Sequence, residues 1–295
     1  MASPGMLAIH GELVIIGYSP DGDSIRFVAD DPGLFEQIGR GYKVRPSGRD
    51  GSVQLRLEAI DAPETHYGKD AQPLGDKARD SLLSWIGFSD LSYDEHDDNK
   101  VTGAQPRSVR AVVLTKGSDP HGRPVSYVIV HEDDLPQDGR WSVVGAHTLD
   151  KTLNAKALSE GIAYPTFYTS TPARHVSHLR TLAAKARANR LGVWAADHTG
   201  GFRLIAQSSI GPEGQLILPK LFRRATDYLK DVVAGKFTGN LADWIKANGH
   251  TPSRQENDIV VLHGGIEVPL STLLEQHNDT VVFRPDLLDI KFVEK

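Results

Sequence analysis

Residues 52–64, SVQLRLEAIDAPE, alternate strictly over their first half: Val53, Leu55, Leu57 and Ala59 fall on one face, Gln54, Arg56 and Glu58 on the other. That two-residue period is the signature of a half-buried β-strand. Arg56 and Asp61 lie five residues apart, so a straight strand would put them on opposite faces. Pro63 forces a turn near Asp61 and swings Asp61 and Glu64 back towards the mouth of the strand layer. A guanidinium and two carboxylates then converge. Carboxylate oxygens suit a hard cation such as Ca²⁺ or Mg²⁺, the planar Arg fork suits a phosphate, and a Glu beside a cation can orient or deprotonate water. Taken alone, the same segment is an ordinary strand with a surface salt bridge.

Upstream, residues 12–28, ELVIIGYSPDGDSIRFV, alternate around Pro20-Asp21-Gly22-Asp23, a hairpin signal in which Asp23 shares the inward face of Ile25 and Phe27. Downstream, Leu74, Ala78, Leu82, Trp85 and Ile86 recur with helical period. Residues 108–115 and 124–130 read as strands around Asp119-Pro120-His121-Gly122-Arg123, whose glycine delivers Arg123 to the start of the second of them. Two helices follow, one carrying Leu153, Ala157, Leu158 and Ile162, the other running over residues 172–190 with Leu179, Leu182, Ala183 and Ala186 as its apolar stripe. A short meander of strands, a helix, more strands and two late helices is α+β, and the strands suit a small closed barrel.

Thr199-Gly200-Gly201 punctuates the end of this unit, giving a first domain over residues 1–199 and a small C-terminal α+β domain over residues 200–295. In the latter, residues 219–234 are amphipathic (Leu221, Phe222, Ala225, Leu229, Val232) and Asn240 is a helix N-cap. Residues 258–270 read as a hairpin, and 280–283 and 289–293 as strands. Docking onto the first domain is equally consistent with this pattern. Trp244, His250, His263 and His277 are scattered and carry no assigned chemistry.

An apolar fraction of 39% with 24% charged residues is that of a soluble globular protein with a real core. The absence of cysteine rules out disulfides, thiolate metal sites and a Cys nucleophile. The opening MASPGMLAIHGELVIIG has no basic n-region and runs straight into a strand pattern, and nothing reaches transmembrane length, so a cytoplasmic protein without membrane contact is expected. A net charge of −5 argues against coating nucleic acid through bulk positive charge, but leaves room for a local positive pocket.

Read in order, Asp21-Gly22-Asp23-Ser24, then Arg56-x4-Asp61-Ala62-Pro63-Glu64, then Asp119-x-x-Gly122-Arg123 opening a strand, then Leu153-Asn154 with Gly161-Ile162-Ala163, then Arg190-Leu191-Gly192-Val193-Trp194, the chain resembles the staphylococcal nuclease (thermonuclease-like) family over about residues 12–197. The resemblance implies an OB-fold, a five-stranded β-barrel with flanking helices, that hydrolyses phosphodiester bonds of DNA and/or RNA with Ca²⁺, Mg²⁺ or another divalent cation being the alternative. Water would attack phosphorus and the 5′-oxygen leave, giving 3′-phosphate ends. By matched position, Asp23 and Asp61 would be carboxylate ligands, with the backbone carbonyl of Ala62 a further ligand where the family commonly has Thr. Glu64 matches the general base, Arg56 and Arg123 the two phosphate-binding arginines, and Asp21 an acid near the metal that orients a water.

Other positions depart from the family. Its Lys-Tyr before the loop glycine is Pro120-His121 here, which leaves His121 as a donor to substrate, and Phe167 and Tyr168 lie near the family's base-stacking aromatics but read equally as core residues. An insert over residues 30–51 holds Arg40, Lys43, Arg45 and Arg49 beside Tyr42 and reads as a solvated loop or a basic lip. An acidic insert over residues 94–105 reads as solvated, as does the basic face made by Arg174, His175, His178 and Arg180. Trp194 reads as a packing lock. The alternative to a nuclease is a non-catalytic OB-fold module binding nucleic acid or protein, and a C-terminal domain recruiting a protein partner is a third reading. Retention of all the acids favours catalysis, because inward carboxylates repel phosphate unless a cation sits among them.

Overall fold

The computed structural model describes residues 5–132, 135–249 and 255–294, so that His250 lies outside the described residues. Strand β1 (Met6–Val14) precedes β2 (Ser24–Ala29), β3 (Val53–Leu57), the short β4 (Ile60–Asp61) and helix α1 (Gly75–Ile86). A hairpin β5 (Ser89–Asp94) and β6 (Asp97–Gln105) leads to β7 (Ser108–Ser118) and β8 (Pro124–Val130). Among the described residues five strands close a barrel in the order β1-β2-β3-β8-β7 and back to β1. The β3–β8 pair is parallel, with Arg56 opposite Val125, and the other pairs are antiparallel. Closure depends on β1 pairing on both edges, Leu13 lying between Phe27 and Val109. Gly11 permits the sharp curl this needs, since a Cβ there would stand 2.1 Å from the Val28 carbonyl oxygen.

The apolar faces of the strands fill the barrel with Leu7, Ile9, Ile25, Phe27, Leu55 and Val113, all buried. After β9 (Trp141–Ser142), helices α2 (Ala146–Asp150), α3 (Leu153–Ser159) and α4 (Ala173–Ala188) flank it, with β10 (Tyr164–Pro165) between the last two and α5 (Val193–Ala196) after them. Asn154, fully buried, joins α3 to the barrel: its Nδ2 donates to the Glu58 and Ser126 carbonyls at 2.8 and 3.0 Å, and its Oδ1 accepts from Val128 N–H at 3.1 Å. Gly161 and Gly192 meet backbone to backbone, where a Cβ on either would stand within about 2.3 Å of a carbonyl oxygen of the other segment. The α+β class and the OB-type barrel with flanking helices are as the sequence led us to expect.

Several local readings differ. The chain reverses at Ala59, whose φ of 67° is left-handed, and not at Pro63. The acidic insert is the β5–β6 hairpin, in which Val101 is fully buried and exchanges backbone hydrogen bonds with the β1–β2 loop at Gly17 and Tyr18. In the basic insert Phe35 and Ile38 enter the core while Tyr42 is 71% exposed, and Lys43 Nζ donates to the Pro120 carbonyl at 3.3 Å. His175 is not part of a solvated face: it is 1% exposed and bonds Tyr127 Oη and the Val144 carbonyl.

Residues beyond 199 form β11 (Phe202–Arg203), α6 (Pro219–Val233), α7 (Leu241–Ala247), β12 (Ile259–Val261), β13 (Glu267–Pro269), β14 (Leu274–His277), β15 (Thr280–Phe283) and β16 (Lys291–Phe292). Two small sheets, β11-β15-β14 and β13-β12-β16, pack with α6 and α7 around Trp244, Phe222 and Phe292. The apolar clusters interleave across residue 199, because Tyr164 and Val193 belong to the second and Leu288 to the first. The tail also lies along the barrel side: Phe292 N–H donates to the Phe167 carbonyl at 2.8 Å and Thr169 N–H to the Phe292 carbonyl at 2.9 Å.

Candidate active site

Gly22 seats the Asp21-Gly22-Asp23 turn on the segment after β4, where a Cβ would stand 2.7 Å from that of Ala62 and 2.8 Å from that of Ala78. Asp21 Oδ1 accepts from Thr65 Oγ1 at 2.5 Å and from Thr65 N–H at 3.2 Å. Asp23, half-buried, accepts from Ala62 N–H at 3.4 Å. The reversal at Ala59 turns Asp61 onto β4, opposite Tyr164 of β10, so that Asp61 is 2% exposed. Glu64 follows at 8%, its backbone held on both sides by Gln72: its N–H donates to Gln72 Oε1 at 3.2 Å and its carbonyl accepts from Gln72 N–H at 2.9 Å. Arg56 on β3 donates to Tyr168 Oη at 3.0 Å and lies 5.0 Å from the centre of that ring.

The electrostatics are those of a crowded acid cluster. Burial first, then Asp21 and Asp61, push the Asp23 carboxyl up to about 7, against the pull of Arg56 and Arg223. Burial likewise pushes Glu64 up to about 8, with Asp21, Asp61 and Asp23 adding to it and Arg223 opposing. Burial works against charge on Arg56, yet Tyr168, Asp61 and Asp23 hold it protonated above its usual range. A carboxyl whose folded pKa exceeds its unfolded one favours the folded state fully below the unfolded value and loses that contribution as pH rises through the folded value. For Asp23 that window runs from 3.8 to about 7. In buffer free of divalent cations, Asp23→Asn should therefore melt above the wild type at pH 8, with the gap closing below about pH 4; chemical-denaturation curves across that range check it, and a pH-independent gap would contradict it.

Helix α6 brings cations into this cluster. Lys220, Arg223, Asp227 and Lys230, spaced by three, four and three, lie on one helical face, and each meets the barrel side. Lys220 Nζ donates to Tyr168 Oη at 3.1 Å, Asp227 accepts from Tyr67 Oη at 2.7 Å, and Lys230 pairs with Asp70 at 3.1 Å. Arg223 donates from Nη2 to both Asp61 oxygens at 3.2 and 3.3 Å and from Nη1 to Asp61 Oδ1 at 3.3 Å and to Glu64 Oε1. Sequence reasoning missed Arg223, Lys220 and Gln72. The signal available was a polar stripe on an amphipathic helix, which by default faces water.

In chemistry the donor set suits a hard divalent cation, since Asp21, Asp23, Asp61 and Glu64 offer carboxylate oxygens within one cluster. Among the described residues no group of three or more acidic or histidine side chains is so arranged as to hold a metal ion, and Arg223 is seated on Asp61 and Glu64.

The remaining expected residues divide. Arg123 is tied to its own loop, Nε donating to Asp119 Oδ2 at 2.7 Å, and Asp119 Oδ1 also accepts from the His121 and Arg123 N–H groups. Against its burial, Asp119 is held below the usual carboxylate range by Arg123 and, more weakly, by Arg56; the Arg123 loop leads into β8, with Arg123 two residues before Val125, which stands opposite Arg56. His121 is exposed beside it. Phe167 sits in the core with 1% of its surface exposed, so the stacking expected of it has no open ring to act through. Tyr168 is engaged between Arg56 and Lys220, and despite its burial these two cations pull its phenol below the ordinary value.

Comparison with known proteins bears on the same residues. Residues 54–196, which carry Arg56, Asp61, Glu64 and Arg123, match the family described as staphylococcal nuclease homologue. The chain is 33% identical over 87 residues to a protein of Clavispora lusitaniae named probable endonuclease LCL3, a stretch covering 28% of this chain and 36% of that one. Proteins of the same name from Candida tropicalis (37% over 90 residues; 29% and 35%) and Scheffersomyces stipitis (35% over 83 residues; 27% and 34%) are similar to it as well. The chain thus spans about a third of the length of these curated relatives. No helix among the described residues is long and apolar enough to cross a membrane. A closed five-stranded barrel, an Arg56–Asp61–Glu64 cluster at its mouth and the matched motifs agree, and residues 54–196 form a domain of the staphylococcal nuclease homologue family.

Proposed function

We propose that the chain is a nuclease that hydrolyses phosphodiester bonds of DNA and/or RNA with the help of a divalent cation, Ca²⁺ in the first instance, held by Asp23, Asp61 and the Ala62 carbonyl with Asp21 behind them. The observation that carries this reading is the convergence of Asp23, Arg56, Asp61 and Glu64, from separate segments, into one cluster where charge is costly to keep unless it is used. The cation, when bound, neutralises phosphate charge and the acids' mutual repulsion. Arg56, positioned by Tyr168, and Arg123, positioned by Asp119, hold the nonbridging phosphate oxygens. Glu64 accepts a proton from the attacking water as its oxygen bonds to phosphorus. The bond to the 5′-oxygen breaks, that oxygen takes a proton from solvent, and a 3′-phosphate remains. Both arginines stay protonated throughout and act by electrostatic stabilisation, not as acids.

Digestion of plasmid DNA and of RNA in Ca²⁺, Mg²⁺ or EDTA tests the proposal. Cleavage is expected with millimolar Ca²⁺ and none with EDTA, and Arg123→Ala should be slower by about 10²-fold or more. Undiminished cleavage by Arg123→Ala would remove it from the site, and no cleavage under any cation would favour the binding-module reading.

A further inference from the structure

Both oxygens of Asp61, at 3.2–3.3 Å, and one of Glu64 are taken by the Arg223 guanidinium in charge-assisted hydrogen bonds. The side chains of Asp61 and Glu64 are 3% and 11% exposed, so water does little to weaken these pairs. Anything positive that approaches the two carboxylates must first displace that guanidinium. The helix that carries it is fixed independently: Leu221, Phe222 and Ala225 are fully buried, Gln72 Nε2 donates to the Ile217 carbonyl at 2.7 Å, and the Tyr67–Asp227 and Asp70–Lys230 pairs hold the same face. The Arg223 side chain itself is 28% exposed. Release of that side chain to solvent would leave the contacts that dock α6 in place.

We propose that Arg223 is an intramolecular competitor for the cation site, a latch that keeps Asp61 and Glu64 closed until a divalent cation takes the place of its guanidinium. The proposal rests on the nuclease reading, since it supposes that these acids serve a cation. The exchange has a driving force in both directions. Seated, Arg223 and the neighbouring Arg56 supply two positive charges to a cluster of four carboxylates, Asp21, Asp23, Asp61 and Glu64; exchanging Arg223 for a divalent ion adds one more charge, but the ion must also match the hydrogen bonds it replaces. The latch thus sets a threshold: the apparent cation affinity is the intrinsic one multiplied by the fraction of molecules with Arg223 swung out.

The test is a calorimetric titration of Ca²⁺ into the full chain without nucleic acid, for wild type, Arg223→Gln and Arg223→Lys, with circular dichroism melts alongside. Arg223→Gln should bind Ca²⁺ at least about ten-fold more tightly than the wild type, the effect of raising an open fraction from below about a tenth to one. Arg223→Lys keeps the charge but not the fork, and should fall between them. Should Arg223→Gln not fold, a tightening of about three-fold or more in Arg223→Lys carries the test. Equal affinities in the folded variants and the wild type, with plasmid cleavage intact, would overturn the latch and leave the nuclease reading standing. No Ca²⁺ binding by any of the chains, with no cleavage in Ca²⁺ or Mg²⁺, would overturn that reading and the latch with it.

Discussion

Glu64→Gln is expected to cut the rate of DNA cleavage by about 10²–10⁴-fold while the melting temperature moves by no more than a few degrees. Glutamine has the shape of glutamate but takes no proton from water, so loss of rate would report the base and not the scaffold. The scaffold is safe for a local reason. Glu64's backbone is clamped by Gln72, and Thr65 next to it is bound to Asp21, so the chain path through the site does not depend on the Glu64 carboxylate. The substitution does break the pair with Arg223, but it also removes a buried charge that three other acids oppose, and these two effects offset one another. Single-turnover cleavage with a melting curve separates the two quantities. A variant within about three-fold of the wild type would take Glu64 out of the reaction.

Ending the chain after Thr199 is expected to abolish cooperative unfolding, although the family's motifs all lie before that point. Tyr164 and Val193 are fully covered by the second apolar cluster, with Tyr67, Leu74 and Trp194 packed against it. Baring such side chains costs about 1.5–3 kcal/mol for each fully buried one, and Asp61 and Glu64 would lose their counter-ion besides. Several of these together rival the whole stability of an ordinary domain, about 5–15 kcal/mol. Purified residues 1–199 should bind a hydrophobic dye, aggregate and lack a sharp melt. A monomeric fragment that melts within a few degrees of the full chain would show that the interleaved contacts contribute little.

The barrel was legible because its strands obey one local rule. Alternation in residues 53–57, and in the β1–β2 hairpin, fixes which side chains enter the core, and Gly22 between two aspartates marks the turn that delivers Asp23. What stayed hidden has physical causes that no window of sequence contains. Alanine rarely adopts a left-handed φ, so nothing announced the reversal at Ala59, and the visible breaker, Pro63, drew the turn to itself. The acid-rich composition of residues 89–105 masked the two buried positions, Val101 and Ala104, that make it a packed hairpin. Arg223 meets Asp61 across 162 residues, and a cation on a polar helix stripe looks the same whether water or a carboxylate faces it. Phe167 and His175 illustrate the converse: residue types associated with binding are here spent on packing.

The backbone bonds between Phe292 and the segment around Phe167 also bear on the order in which the molecule comes together. Tyr168, which grips Arg56, is braced by a strand that emerges long after it, and Ser170 bonds Glu294 across 124 residues. Such closures between distant parts of a chain are slow, because loop entropy is lost before the contact rewards it. On a ribosome, the barrel strands are exposed well before α6 or the tail exists. The nascent polypeptide therefore passes through an interval in which the acids of the cluster have emerged and their guanidinium partner has not, and since the first 199 residues are not expected to fold cooperatively alone, the cluster closes and Arg56 gains its brace only once α6 and the tail arrive.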